Sequence, residues 1–195
     1  MGKTGVIILA GGNSSRFGTP KPFLPFDKTS TFLEKIVYVY KDFGCHDIIL
    51  VLNQKYSEIF NNTFPENFRT ELKIVYNSNP GLGRFYSLKL GADSVRDTEF
   101  CFIQNIDNPF TDEYILKKLF ENRNENSFVS PLYKNKGGHP VLIPGQIIEK
   151  IRDETDISLN TKDFLNRFNK IGVEVENDKI LANINSPEDY KEYFE

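Results

Sequence analysis

The sequence predicts a three-layer α/β fold, a mostly parallel central sheet with helices on both faces. Three observations carry this: apolar runs of strand length, amphipathic helical segments alternating with them, and glycine or proline marking the turns between. Val6-Ile7-Ile8-Leu9, bounded by Gly5 and by Gly11-Gly12, has the continuous apolar character of a strand buried on both faces. Pro20, Pro22 and Pro25 exclude regular helix, and Ser30 to Phe43 then carries Phe32, Leu33, Ile36, Val37 and Tyr40 at helical spacing. Ser30 or Thr31 suits the cap and Gly44 the stop. Asp47 to Leu52 is a second buried strand, which completes a strand, crossover helix, strand unit of the right-handed kind.

The alternation continues. A weaker helix is expected around Gln54 to Phe60, a strand at Leu72 to Tyr76, a glycine-marked loop at Pro80 to Gly83 and a helix from Arg84 to about Val95. Phe100 to Asn105 reads as a central strand that stops at Asp107-Asn108-Pro109, and a helix with Tyr114, Ile115, Leu116, Leu119 and Phe120 on its apolar side runs from Thr111 to about Asn122. In the last third, Phe128-Val129 and Val141 to Ile143 read as strands around a Lys/Gly-rich hairpin, Lys134 to Gly138. Helices follow near Gln146 to Arg152 and Lys162 to Phe168. Val173 to Val175 is expected as an edge strand and Ile180 to Ile184 as another, before a helix opened by Ser186-Pro187-Glu188. No repeat, linker or low-complexity tract interrupts the chain, so residues 1–195 are expected to form one domain.

With 24 Lys+Arg against 27 Asp+Glu in 195 residues, the formal net charge of −3 argues against nucleic acid as the main partner. The 39% hydrophobic content supports a full core without staples. Cys45 and Cys101 stand far apart, outside any CxxC or Cys/His grouping, and read as buried thiols in a reducing compartment rather than a disulfide or zinc site. The longest apolar runs are far too short to span a bilayer, and from the residues themselves neither a signal peptide nor a myristoylation signal is expected. No membrane partner and a cytoplasmic location are the expectation.

The chemistry is concentrated in Leu9-Ala10-Gly11-Gly12-Asn13-Ser14-Ser15-Arg16-Phe17-Gly18-Thr19-Pro20-Lys21. Glycines, serines and two cations just past a buried strand offer bare N–H groups, hydroxyl donors and positive charge, which suit a polyphosphate. Arg16 can fork onto phosphate oxygens and Lys21 supplies a mobile point charge. A Walker loop is excluded because no Gly-Lys-Ser/Thr closes the stretch, and the glycines do not fall as GxGxxG.

This stretch resembles the LAGGxSxRFGxPK signature of the molybdopterin nucleotidyltransferases, the MobA-like group. Three further segments match in chain order. Asn77, Gly81-Leu82-Gly83 and Ser87-Leu88 resemble the family's second nucleotide loop, Asp107-Asn108-Pro109 its DxP, and Gly138-His139-Pro140 its GHP. Asn183-Ile184-Asn185-Ser186-Pro187-Glu188-Asp189 is similar to the closing motif, often D-I-D-T-P-E-D, with asparagine at both acidic places.

The resemblance implies a Rossmann-like nucleotidyltransferase fold, with a nucleotide-binding part over about 1–110 and an acceptor-binding part over about 111–195. It implies an enzyme, dependent on Mg2+, that transfers a nucleoside monophosphate from CTP or GTP to the phosphate of molybdopterin and releases pyrophosphate. Leu9, Ala10, Gly11, Gly12, Ser14, Arg16, Lys21, Asn77, Gly83 and Ser87 would line the nucleotide. Arg16, Lys21 and Asp107 would be catalytic, Asp107 and Asn185 would meet the metal, and His139 would lie beside the acceptor. The implied partners are a nucleoside triphosphate and a phosphorylated small molecule, in a monomer or a dimer. A sugar phosphate or another small phosphate monoester is the alternative acceptor. A nucleotide-binding accessory protein without catalysis is the alternative class, motivated by Asn183 and Asn185.

Overall fold

In the computed structural model, which describes residues 3–13 and 17–194, the strands and helices alternate as β1 (Thr4–Ala10), α1 (Phe32–Asp42), β2 (Asp47–Asn53), α2 (Ser57–Thr63), α3 (Glu66–Arg69), β3 (Lys73–Asn77), α4 (Gly83–Ala92) and β4 (Phe100–Asn105). The second half continues with α5 (Glu113–Glu121), β5 (Ser127–Tyr133), β6 (Lys136–Gly137), β7 (Val141–Pro144), α6 (Gly145–Asp153), α7 (Thr161–Leu165), β8 (Asn169–Glu174) and α8 (Pro187–Phe194). The sheet runs β3-β2-β1-β4-β7-β5, with β6 and β8 both paired to β5. Pairing is parallel from β3 through β4 and between β5 and β8, and antiparallel where β7 meets β4 and β5. The expected mixed, mostly parallel α/β architecture is present.

All seven residues of β1 are buried because β2 and β4 flank it and helices cover both faces. Its alternation divides the apolar interior in two. Val6, Ile8 and Ala10 join the core beneath α1 and α5, whereas Ile7 and Leu9 join the core beneath α4 and α6. Helix α1 starts on a capping box: Thr31 Oγ1 accepts from Glu34 N–H at 3.2 Å, and the Glu34 carboxylate accepts from Thr31 N–H at 2.8 Å. Asp112 caps α5 through Ile115 N–H at 2.8 Å. Cys45 and Cys101 are free and buried, and burial pushes the Cys45 thiol up to about 12.

Two features of the last third depart from the sequence reading. Strand β8 begins at Asn169, earlier than Val173, and takes over residues next to the shortened helix α7. The expected strand at Ile180 to Ile184 is absent. Asp178–Leu181 forms a 3-10 turn instead, opened by Asn177, whose side chain accepts from Lys179 N–H at 3.0 Å. Ile180, Ala182 and Ile184 are buried in alternation, which imitates a strand, but the backbone partners of Ile180 and Ile184 lie in distant loops. The Ile180 carbonyl accepts from His139 N–H at 3.0 Å and from the Asn108 amide at 2.9 Å, and Ile184 N–H donates to the Asp107 carbonyl at 2.8 Å. Tertiary contacts with two loops thus satisfy this backbone where a neighbouring strand would otherwise be needed. Among the described residues no helix is long and apolar enough to cross a membrane.

Candidate active site

Strands β1 and β4 end side by side, and their carboxyl ends deliver Gly11-Gly12 and Asp107 to one cleft, where ligands of parallel sheets bind. A cavity of about 300 Å³ opens there, lined by Leu9, Ala10, Gly11, Gly12, Lys21 and Asp107, with Gly83, Ser87 and Asn185 on its other walls. Gly11 is held at close quarters: a Cβ at this position would stand 2.7 Å from Ser87 Oγ and 3.0 Å from Asn77 Nδ2. Those two side chains are themselves bonded, Asn77 Nδ2 donating to Ser87 Oγ at 3.0 Å. Asn77 is fully buried and supports this wall from behind Ser87. Gly83 has φ +91°, a left-handed conformation that lets the chain turn sharply from the preceding 3-10 turn into α4. Ser14 and Arg16 lie outside the described residues.

Charge is gathered on the Asp107 side. Lys21 Nζ stands 3.6 Å from Asp107 Oδ2 and Arg84 stands 3.5 Å from the same oxygen. The Lys21 and Asp107 side chains are only 13% and 7% exposed, whereas Arg84 is 53% exposed. Lys21 Nζ also donates to Asn185 Oδ1 at 2.8 Å, so the closing motif is tied to the first loop. Asn185 therefore lies at the site, but its carbonyl oxygen serves the lysine. Asn183 is exposed and donates to the Leu181 carbonyl, away from the site. Helix α8 fixes this arrangement, with Asp189 accepting from Asn185 and Ser186 N–H at 2.7 and 2.9 Å. Tyr190 OH donates to the Pro25 carbonyl at 2.8 Å beside the loop that carries Lys21.

A second cavity of about 620 Å³ adjoins the first. Its walls include Phe85, Ile103, Phe128, Val141, Leu159 and Leu165, with His139, Asn105, Lys162 and Lys170 as polar members. Asn105 Nδ2 lies 2.9 Å from His139 Nε2, a side-chain pairing between the amide and the imidazole. Burial holds the His139 imidazole below its ordinary value, and Arg84 adds to this while Asp107 opposes it. The sign for stability follows from proton uptake. Below about pH 6.5 the unfolded chain binds a proton at this histidine that the folded chain does not, so stability is complete above that pH and declines as pH falls toward the folded value. In urea titrations at pH 7.5 and 5.5, His139→Gln is expected to lose less stability on acidification than the native chain. Equal losses would show that His139 is not the group responsible.

The sequence reading missed a buried network behind Asp107. Gln104 is fully buried, and its Oε1 accepts from Tyr40 OH at 2.9 Å and from Thr111 Oγ1 at 2.7 Å. Its Nε2 donates to the carbonyls of Asn105 and Asn108, each at 2.8 Å. The amide thus clamps both ends of the turn that presents Asp107. A polar amide within the apolar run of β4 is the signal for such a clamp, since a buried amide must find partners. Gln104→Leu is expected to destabilise the fold by about 3–5 kcal/mol, because several buried polar groups lose their partner at once. A urea midpoint within the scatter of the native protein would refute the clamp.

The sequence model described as "MobA-like NTP transferase domain" matches residues 6–170, which include the glycine loop, the Asp107 turn and His139. The chain belongs to the MobA-like NTP transferase family. An NTP transferase of this family is a nucleotidyltransferase, an enzyme class that takes a nucleoside triphosphate and a phosphorylated acceptor. The chain is 28% identical over 184 residues to the molybdenum cofactor cytidylyltransferase of Escherichia coli (strain K12), covering 94% of this chain and 92% of that protein. A nucleotidyl transferase from Methanothermobacter thermautotrophicus superposes with a TM-score of 0.79 at 18% identity, over 97% of this chain and 95% of that one. Rv0371C of Mycobacterium tuberculosis H37Rv, solved in complex with manganese, superposes with a TM-score of 0.73 at 17% identity, over 99% and 98% of the two chains. These superpositions establish the MobA-like chain's fold.

Proposed function

We propose that this MobA-like protein transfers a nucleoside monophosphate from CTP or GTP to the terminal phosphate of a molybdopterin-type pterin, releasing pyrophosphate. The observation that carries the reading is the pair of adjoining cavities, one glycine-walled with an Asp107–Lys21 pair, the other apolar-walled with cations among its lining residues. Aromatic and aliphatic walls with a few polar groups suit a flat fused heterocycle better than a polyhydroxylated sugar. The E. coli relative points to the same acceptor.

Divalent metal fits the first cavity. Asp107 is 5% exposed and its Oδ1 is buried without a hydrogen-bond partner, while among the described residues no cluster of three or more His, Cys, Asp or Glu side chains exists. One carboxylate completed by phosphate oxygens and water is the usual manner of holding magnesium. Asp107 would hold the ion, with Asn185 beside it, and the ion would supply positive charge to the triphosphate.

The chain's own groups do the rest. Backbone N–H groups around Gly11 and Gly12 receive phosphate oxygens, with Arg16 and Lys21 neutralising them. An oxygen of the acceptor phosphate attacks the α-phosphorus in line, a new P–O bond forms, and the bond to the β-phosphate oxygen breaks as pyrophosphate leaves. A phosphate monoester is already an anionic nucleophile at neutral pH, so the site needs no strong general base and works by positioning and charge neutralisation. Neutral His139, paired with Asn105, orients the acceptor. Pyrophosphate release is to be measured with Mg2+ and each of the four triphosphates, with molybdopterin, sugar phosphates or no acceptor. Release that requires the pterin supports the proposal. Release only with sugar phosphates moves the acceptor, and nucleotide binding without release under any condition contradicts the proposal.

A further inference from the structure

Resting on the proposed transfer reaction, the geometry points to Arg84 as a further catalytic residue, a cation paired with Asp107 that is released to the phosphates in transfer when that carboxylate holds a divalent ion. Among the described residues, three line both cavities: Leu9, Gly83 and Arg84. Arg84 is the charged one among them. In a transfer between ligands seated in adjoining cavities, the donor's α-phosphate and the acceptor's phosphate meet at the shared boundary, and that is where this guanidinium stands.

Its present partner explains how it can be held in readiness. Asp107 is nearly buried and already faces Lys21, while Arg84 approaches the same oxygen from the open side with half its side chain in solvent. Lys21 is fixed to Asn185 on the far wall, but Arg84 leaves the helix at its first turn, one residue past Gly83 at φ +91°. A long side chain on a half-exposed first turn can move to a new anion without moving the helix. A guanidinium also forks across two phosphate oxygens, a geometry that a single carboxylate oxygen at 3.5 Å does not use. With a divalent ion held by Asp107, the Arg84 guanidinium would lose its pairing with that oxygen and would turn to the phosphates at the boundary. Metal binding and phosphate capture are thereby coupled through one side chain.

Arg84→Gln and Arg84→Lys test this in the full chain with two independent readouts. The first is Mn2+ binding without nucleotide, followed by the spin-resonance signal of the free ion. Removing a competing like charge is expected to tighten Mn2+ roughly three- to tenfold in Arg84→Gln, with Arg84→Lys close to the native chain. The second is steady-state transfer: kcat/KM for the acceptor is expected to fall about a hundredfold or more in Arg84→Gln, with partial rescue in Arg84→Lys and a nucleotide dissociation constant changed far less. Equal or weaker Mn2+ affinity in Arg84→Gln, including no retention by either protein, overturns the paired state. Transfer by Arg84→Gln at the native rate overturns the catalytic role. Should the native chain transfer no nucleotide to any acceptor, the reaction reading fails by itself, and the Mn2+ titration still decides the competition at Asp107.

Discussion

Asp107→Asn is expected to abolish metal-dependent nucleotidyl transfer, with a loss on the order of a thousandfold or more in kcat, while the chain still folds. The substitution keeps shape and removes charge. Asp107 is 5% exposed, faces two cations at 3.5 and 3.6 Å and has an unpartnered second oxygen, and among the described residues that line the cavity it is the one anion. An amide there leaves Lys21 and Arg84 without their counter-charge and offers a divalent ion only a weak carbonyl ligand. The turn itself is held by the Gln104 amide and by the Asp107 backbone carbonyl, neither of which the change touches. Circular dichroism should therefore match the native spectrum, with Mn2+ retention lost. Retained, metal-dependent transfer would place the ion elsewhere.

Lys21→Ala is expected to lower turnover by a few hundredfold, since loss of one charged contact to a developing transition state is worth about 3–4 kcal/mol. The structure adds a positional effect to the electrostatic one. Lys21 joins Asn185, at the start of the C-terminal segment, to Asp107, at the end of β4, and an alanine removes both contacts. Nucleotide affinity is expected to weaken along with turnover if the lysine, as proposed, meets the triphosphate before as well as during transfer. A kcat near the native value would remove Lys21 from the chemistry, and an unchanged nucleotide dissociation constant would confine it to the transition state.

How much of this was legible in the sequence depends on what fixes each part. Strands β1, β2 and β4 and helices α1 and α5 were readable because their periodicity is set by burial, which the order of apolar residues records directly. The segment Ile180 to Ile184 has the same alternation, yet its backbone is satisfied by His139, Asn108 and Asp107 from distant loops, and no local pattern encodes those partners. Within the site, Gly11, Gly12, Lys21 and Asp107 stood out because glycines and charges at strand ends are conspicuous, and His139 through the motif it resembles. Arg84 and Gln104 did not. An arginine at the start of a helix is commonplace, and its meaning comes from lying where two cavities meet. Gln104 announced itself only as an amide in an apolar strand, and its four partners come from α1, the last residue of β4, the turn after β4 and Thr111.

The two asparagines of the closing motif separate in the same way. Both stand where the motif often has an acid, but Asn183 is exposed and donates to the Leu181 carbonyl, whereas Asn185 accepts from Lys21. The asparagine pair therefore bears on the site at a single position, where an amide oxygen accepts from a lysine that a carboxylate would attract more strongly.

Transfer of label from triphosphate carrying 32P at the α-position is the decisive measurement. With CTP or GTP, Mg2+ and molybdopterin, the label is expected to appear in the pterin product in step with one pyrophosphate per transfer, and to be absent with Asp107→Asn. Label that stays in nucleotide, with the triphosphate bound but never transferred to the pterin or to any other phosphate monoester, would contradict a nucleotidyltransferase site at Lys21 and Asp107.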